Sequence, residues 1–267
     1  MKRFYPFSMF LLLVLVMFTT STIGQVTANF STIGPAIGCG SLVVEFEDNS
    51  MGNPTSWWWD FGNGLTSTEQ HPVVLFSNPG VYDVILEASD SLTTDLITVL
   101  AYIRVNENPQ ANFSVEVFSG CAPLSVKFEE LSFSSVPINS WFWDFGDGGN
   151  DTLQSPIYNY QQDGDFSVSL LVIDDNSCAD LVVVSNLIKT DEKPVIDFEA
   201  TPEFSCNGAQ TVDFTNTSSA PNPLSYTWDF GDGQGSSLAS PSHLYSSAGS
   251  YDVSLMTSST YCKDTLD

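Results

Sequence analysis

The side chains best placed to do chemistry are carboxylates. Trp143-Asp144-Phe145-Gly146-Asp147-Gly148 recurs as Trp228-Asp229-Phe230-Gly231-Asp232-Gly233. Asp144, Asp147, Asp229 and Asp232 therefore occupy matching positions, and hard cations take carboxylate oxygens, so these four are the candidate calcium ligands. Asp174-Asp175 and the pair Asp163 and Asp165 add local negative charge. The EF-hand loop pattern is absent, and an Asp in a turn also accepts backbone N–H bonds, so a structural role competes with the metal one. An earlier copy, Trp59-Asp60-Phe61-Gly62-Asn63-Gly64, has Asn63 in place of the second carboxylate. Asn tolerates the same left-handed turn geometry, which weakens the case for an obligatory charge there.

Aromatic stacking is the other candidate chemistry. In Trp57-Trp58-Trp59, strand alternation puts Trp57 and Trp59 on one face and Trp58 on the other. Phe142 and Thr227 match Trp58 in the later copies. An outward Trp58 and Phe142 offer a flat surface for sugar rings or protein, and packing beneath a loop or neighbouring domain is the alternative. Enzymatic chemistry is not expected. The two histidines, His71 and His243, fall at different positions of the repeat and read as surface-turn residues. No nucleophile elbow, zinc-protease helix or phosphate-binding loop is present. A glycosidase needs two carboxylates across a cleft, which a small sandwich rarely supplies. No cofactor is implied beyond calcium.

The elements that carry these residues repeat with them. The Trp-Asp-Phe-Gly turns lie 84 and 85 residues apart. Upstream of each runs an alternating strand, ending in Phe46, Phe128 or Phe214, and before that a cysteine, Cys39, Cys121 or Cys206. Downstream, Pro72 and Phe76 recur as Pro156 and Tyr160, then as Pro241 and Tyr245. A glycine follows (Gly80, Gly164 or Gly249), and then Tyr82-Val84-Leu86, Phe166-Val168-Leu170 or Tyr251-Val253-Leu255. Short period-2 strands broken by Gly, Pro, Asn and Ser, without helical periodicity, predict an all-β chain of three tandem immunoglobulin-like sandwiches. The predicted spans are 25–106, 107–192 and 193–267. Trp59, Trp143 and Trp228 should fill the inter-sheet space. Gly62, Gly146 and Gly231 should shape the turn, with Asp60, Asp144 and Asp229 beside them.

The run W-D-F-G-D-G, followed by S-P-x-x-x-Y and G-x-[YF]-x-V-x-L, resembles the PKD (polycystic kidney disease) domain. Copy 1 departs most, with Asn63 in its turn and no Ser before Pro72. The resemblance implies an immunoglobulin-like sandwich in a secreted or surface protein. It implies little about a ligand, since a shared fold does not fix function.

The first 24 residues differ from the rest. Lys2 and Arg3 precede the apolar run Phe10–Phe18, and Thr22 and Gly24 stand where a signal peptidase site would have them. This is the pattern of a secretory signal peptide over residues 1–24, with a retained anchor as the alternative; the apolar run is short for a membrane span of ~20 residues, and no later segment is apolar enough to span a bilayer. The whole chain has 7 Lys and Arg against 32 Asp and Glu. Without Lys2 and Arg3 the count is 5 against 32, a net charge of −27. Nucleic acid, which requires phosphate neutralisation by Lys and Arg, is an unsuitable partner.

Cys121 and Cys178 are 57 residues apart, and Cys206 and Cys262 are 56 apart. The equal spacing predicts one disulfide inside each of the second and third sandwiches, which an exported protein keeps oxidised. Cys39 has no counterpart to Cys178 in copy 1, and reads as an orphan or an interchain link. Copy 3 stops at Asp267, short of a closing strand, so the sequence is expected to be part of a longer protein. The expected function is that of a non-catalytic structural or adhesive module, secreted or at the cell surface, with a protein or polysaccharide partner. The alternative is a glycan-binding accessory region of a secreted hydrolase whose catalytic domain lies elsewhere.

Overall fold

The computed structural model describes residues 24–202, 208–222 and 224–267. The expected leader lies, apart from Gly24, outside the described residues. The chain divides into two compact units, Met1–Val105 and Asn106–Asp267. The first holds one sandwich and the second holds two.

Repeat 1 is built from β1 (Phe30–Ile33), β2 (Ile37–Cys39), β3 (Leu42–Asp48), β4 (Ser56–Asp60), β5 (Thr66–Ser67), β6 (Val73–Phe76), β7 (Gly80–Ser89) and β8 (Thr94–Asn106). Repeat 2 follows with β9 (Phe113–Val115), β10 (Ser119–Ala122), β11 (Leu124–Glu130), β12 (Ile138–Asp144), β13 (Asn150–Asp151), β14 (Ile157–Tyr160), β15 (Gly164–Asp174) and β16 (Ala179–Glu192). Repeat 3 has β17 (Phe198–Thr201), β18 (Gln210–Asn216), β19 (Ser225–Asp229), β20 (Gly235–Ser236), β21 (Ser242–Tyr245), β22 (Ser254–Ser258) and β23 (Lys263–Leu266).

Each repeat stacks a three-stranded sheet on a larger one. The small sheets are β1-β3-β6, β9-β11-β14 and β17-β18-β21. The large sheets are β2-β8-β7-β4-β5, β10-β16-β15-β12-β13 and β20-β19-β22-β23. Alternation along β3, β11 and β18 sends Phe46, Phe128 and Phe214 inward, because side chains of a strand point to opposite faces in turn. The recurring proline has a backbone role. The carbonyls of Pro72, Pro156 and Pro241 accept the amides of those same phenylalanines.

The three central tryptophans are buried as the alternation predicts, each no more than 2% exposed. Their indole N–H groups donate to the carbonyls of Glu69, Leu153 and Leu238, each at 2.9 Å. Aromatic rings surround them: Trp59 meets Phe30 and Phe46, Trp143 meets Phe113 and Phe128, and Trp228 meets Phe198 and Phe214. Such edge-on and tilted pairs add about 0.5–1.5 kcal/mol each beyond their burial.

The long last strands carry one irregularity each. Register slips between Tyr82 and Val84 in the β7–β8 ladder and between Phe166 and Val168 in the β15–β16 ladder. The opposing Ala101 and Asn186 take positive φ. Their amides donate to Asp83 and Ser167 side chains, which satisfies groups the bulge removes from the ladder. Repeat 3 has only the start of this strand. β23 contributes four residues, paired to Leu255–Ser258, where β8 and β16 have 13 and 14.

The cysteine pairing differs from the sequence expectation. Cys121 is bonded to Cys262, so neither Cys121–Cys178 nor Cys206–Cys262 forms. The reason is strand length. Cys178 lies just before β16, whereas Cys121 pairs opposite Asp191 at the far end of that strand. Fourteen residues at ~3.3 Å each span roughly 45 Å, far beyond the ~5.5 Å between the Cα atoms of a disulfide. In repeat 2 the two cysteines thus stand at opposite ends of the sandwich. Cys178 is disulfide-bonded, though not to Cys121, and Cys39 is disulfide-bonded too and is not an orphan. Cys206 lies outside the described residues.

Candidate interaction faces and the repeated turn

The repeated Asp residues are held as turn caps. Asp60, Asp144 and Asp229 each accept the amide of the following glycine, Gly62, Gly146 or Gly231, at 2.9 Å. Those glycines have φ of 69°, 84° and 74°. A Cβ there would lie 2.3–2.7 Å from a backbone carbonyl oxygen, that of Asp83, Ser167 or Asp252. Only glycine meets both conditions.

The second turn position shows why copy 1 differs. Asn63, Asp147 and Asp232 all accept an amide two residues on, at 3.0 Å. Eleven residues downstream stand Val74, Tyr158 and His243. Tyr158 donates its hydroxyl to Asp147 at 2.9 Å and stacks on Phe145. His243 Nε2 lies 2.8 Å from Asp232 Oδ2, and its ring stacks on Phe230 at 4.1 Å. Val74 has nothing to offer a carboxylate, and the turn there carries Asn63. His243 is only 8% exposed, so it is not the surface-turn residue expected from sequence. His71 is a turn residue, whose Nδ1 accepts the amide of Asp48.

The electrostatics follow from these partners. The bond to His243 holds the Asp232 carboxyl below its ordinary range, against the opposing effect of burial and with help from the Gln234 amide. Burial pushes the Tyr158 hydroxyl up, and Asp147 beside it adds to the rise. Asp174, read from sequence as part of an acidic patch, is buried. It caps the β15–β16 turn by accepting the amides of Asn176 and Cys178 and the Ser134 hydroxyl. Among the described residues, no three His, Cys, Asp or Glu side chains converge as a group able to hold a metal ion.

The outward aromatics lie where alternation puts them. Trp58 is 40% exposed and Phe142 46%. In repeat 1 the ladder aligns Trp58 with Glu87 and Glu87 with Leu96. In repeat 2 it aligns Phe142 with Leu171 and Leu171 with Leu181. Leu96 and Leu181 are more than half exposed, as is Val183 one row away. Thr227, Met256 and Thr265 form the same row in repeat 3 without an aromatic.

A second apolar strip was missed by sequence reasoning. On the outer face of the small sheet of repeat 1, Val43 pairs with Leu75, and Glu45 lies between Val73 and Ile33. All four apolar residues are at least half exposed. The signal was in the sequence: β6 reads Val-Val-Leu-Phe, apolar on both faces, where β14 reads Ile-Tyr-Asn-Tyr. In repeat 3, a cavity of about 540 Å³ lies among Phe198, Val212, Tyr245, Tyr251 and Val253. In the other repeats the counterparts of Tyr251, Tyr82 and Phe166, pair with the buried Ile103 and Ile188. No helix of the described residues is long and apolar enough to cross a membrane.

Several solved structures are similar to parts or most of this chain. The PKD1 domain of Vibrio anguillarum Epp is 28% identical over 32% of this chain and 98% of its own, with a TM-score of 0.29. The PKD1 domain of the Vibrio cholerae metalloprotease PrtV is 35% identical over the same shares, with a TM-score of 0.28. The I-band fragment I67–I69 of titin covers 91% of this chain and 96% of its own, at 13% identity and a TM-score of 0.47. The PKD domain family profile matches three times, over residues 33–105, 106–186 and 191–265. The chain therefore belongs to the PKD domain family, as three tandem repeats.

Proposed function

We propose that the chain is a non-catalytic extracellular module that presents apolar sheet faces to a protein partner at a cell surface. The observation that carries this reading is the outward aromatic row, Trp58–Glu87–Leu96 in repeat 1 and Phe142–Leu171–Leu181 in repeat 2. Exposed aromatics on a rigid sheet supply large contact area at low entropic cost, as in interface hot spots. The disulfides fit an oxidising compartment. The turn carboxylates are engaged in backbone bonds and are assigned no catalytic part. The test is adhesion of the oxidised chain to cells or to a surface-protein fraction, with Trp58→Ala and Phe142→Ala compared in parallel. Loss of about 2 kcal/mol or more of binding on either change is expected for a hot-spot aromatic. Binding that survives both removes the proposal.

The exposed indole of Trp58 supports a second reading, that of a glycan-binding accessory region. A glycan array separates the two, because sugar binding lost with Trp58→Ala supports stacking, and a blank array removes it.

A further inference from the structure

The outer face of the large sheet in repeat 2 carries little charge, although the chain has 7 Lys and Arg against 32 Asp and Glu. Its central row is Phe142–Leu171–Leu181 across β12, β15 and β16. Ile173 stands two residues from Leu171 on β15, and Val183 two residues from Leu181 on β16, so both point outward with that row. Phe142, Leu181 and Val183 are 46%, 55% and 57% exposed. Asp144 sits at a corner of this face, where it accepts the Gly146 amide. The matching row of repeat 1, Trp58–Glu87–Leu96, has a carboxylate at its centre. In repeat 3 the row is Thr227–Met256–Thr265, with Lys263 two residues from Thr265 on β23. The three repeats thus share one frame and differ in the charge and polarity of this face.

Charge decides which partner fits. The side chains of the repeat 2 row cannot hydrogen-bond, so the hydroxyls of a sugar would lose water there without replacement. A cationic partner would find no carboxylate in the row to pair with. Two copies of so acidic a chain repel wherever their carboxylates meet, and this face lets them meet elsewhere. Sheets pack face to face with their strands aligned within about 30°. About a two-fold axis along β15, Phe142 of one copy covers Leu181 of the other, Leu171 covers Leu171, and Asp144 covers Val183. The same stacking in repeat 1 would set Glu87 against Glu87. We infer that the outer face of the repeat 2 large sheet joins two copies of this chain through Phe142, Leu171 and Leu181. This rests on the reading of that row as a docking face and names its occupant. Three strands ~4.8 Å apart, over five residues of ~3.3 Å, offer about 240 Å² per copy. A standard interface takes ~800 Å² from each partner. The contact is therefore weak in solution, and it gains strength where many copies stand on one surface.

Sedimentation equilibrium of the oxidised chain, at concentrations up to ~1 mM, is the test. The weight-average mass should climb from one copy towards two as concentration rises. Added salt should strengthen the dimer, because it screens the like charges of the two copies and spares the apolar contact. Leu171→Glu puts a carboxylate where repeat 1 has Glu87, and should lower the association constant at least ~tenfold. Glu87→Leu removes the charge from the repeat 1 row and should carry the mass beyond two copies. Both positions face outward, and should Leu171→Glu fail to fold, Glu87→Leu and the salt series of the wild type decide. A chain that stays monomeric throughout, a dimer that loosens with salt, or one that survives Leu171→Glu overturns the inference. A monomer whose surface adhesion is still lost on Phe142→Ala also overturns it, and leaves the proposed function standing with a different protein as the partner.

Discussion

The same position in successive repeats can carry the same ring with different bonding, and this makes single residues comparable within one molecule. Trp57 donates its indole N–H to Asp48 at 2.8 Å, and the same carboxylate accepts from Gln70 and the Ser50 amide. Burial raises the Asp48 carboxyl, but these bonds together outweigh it and hold the group below its ordinary range. Its counterpart in repeat 2 is Glu130, which bonds Ser132 and Gln154 instead, and the buried Trp141 N–H has no partner. Trp57→Phe should cost about 1.5–3 kcal/mol more than Trp141→Phe, since only the former breaks a bond to a charged acceptor. Equal losses in denaturant titration would show that the Asp48 bond contributes nothing. Asp232 supplies a pH test. Its folded carboxyl is held below the unfolded value, so its stabilising contribution is complete above that value and vanishes as pH falls through the folded one. Asp232→Asn should therefore lower the melting temperature at pH 7 and converge with wild type as pH drops below about 4. A gap that persists in acid would mean that the contribution is one of shape and not of charge.

At the scale of strands and turns, the two glycines of one turn should answer differently to substitution. Gly146 and Gly148 both have positive φ, 84° and 94°. A Cβ on Gly146 would lie 2.3 Å from the Ser167 carbonyl oxygen, whereas one on Gly148 would meet open space. Both alanine variants pay about 1–2 kcal/mol for left-handed backbone, and Gly146→Ala should lose clearly more because β12 and β15 must part. Equal midpoints in urea would contradict the close approach. These strands were legible in the sequence because alternation and turn residues are local signals, repeated three times. The buried Trp143 and the outward Phe142 both follow from period 2. The cysteine pairing was not legible, because it depends on which end of a 14-residue strand each cysteine reaches and on what stands beyond the repeat. His243 was misplaced for a related reason. His243 lies on β21 and its partner Asp232 on the turn after β19, and a spacing of 11 residues has no meaning until the strands are paired.

For the molecule as a whole, the question is whether the repeats are independent beads or coupled bodies. At the short junction Asp191-Glu192-Lys193-Pro194, Asp191 and Lys193 both reach into repeat 3. Coupling then has a covalent part and a polar part that can be removed separately. Closing a loop of 141 residues is worth about 5 kcal/mol in the chain-entropy treatment, so reduction should lower the melting temperature of residues 106–267 substantially. Reduction alone should leave the polar clamp intact, and repeats 2 and 3 should still melt together in calorimetry. Asp191→Ala alone leaves the bridge, which holds the repeats together but removes the acceptor for Asn222, Ser259 and Tyr261. Only the two changes together should split the transition in two, the lower belonging to repeat 3, whose buried core of Phe214, Trp228, Phe230, Tyr245 and Leu255 is the smaller among the described residues. Non-additivity of this kind is expected where two ties share one interface. Two separate transitions already present in the oxidised wild type would mean that the ties align the repeats without joining their stability, and the joint would then act on geometry but not on folding.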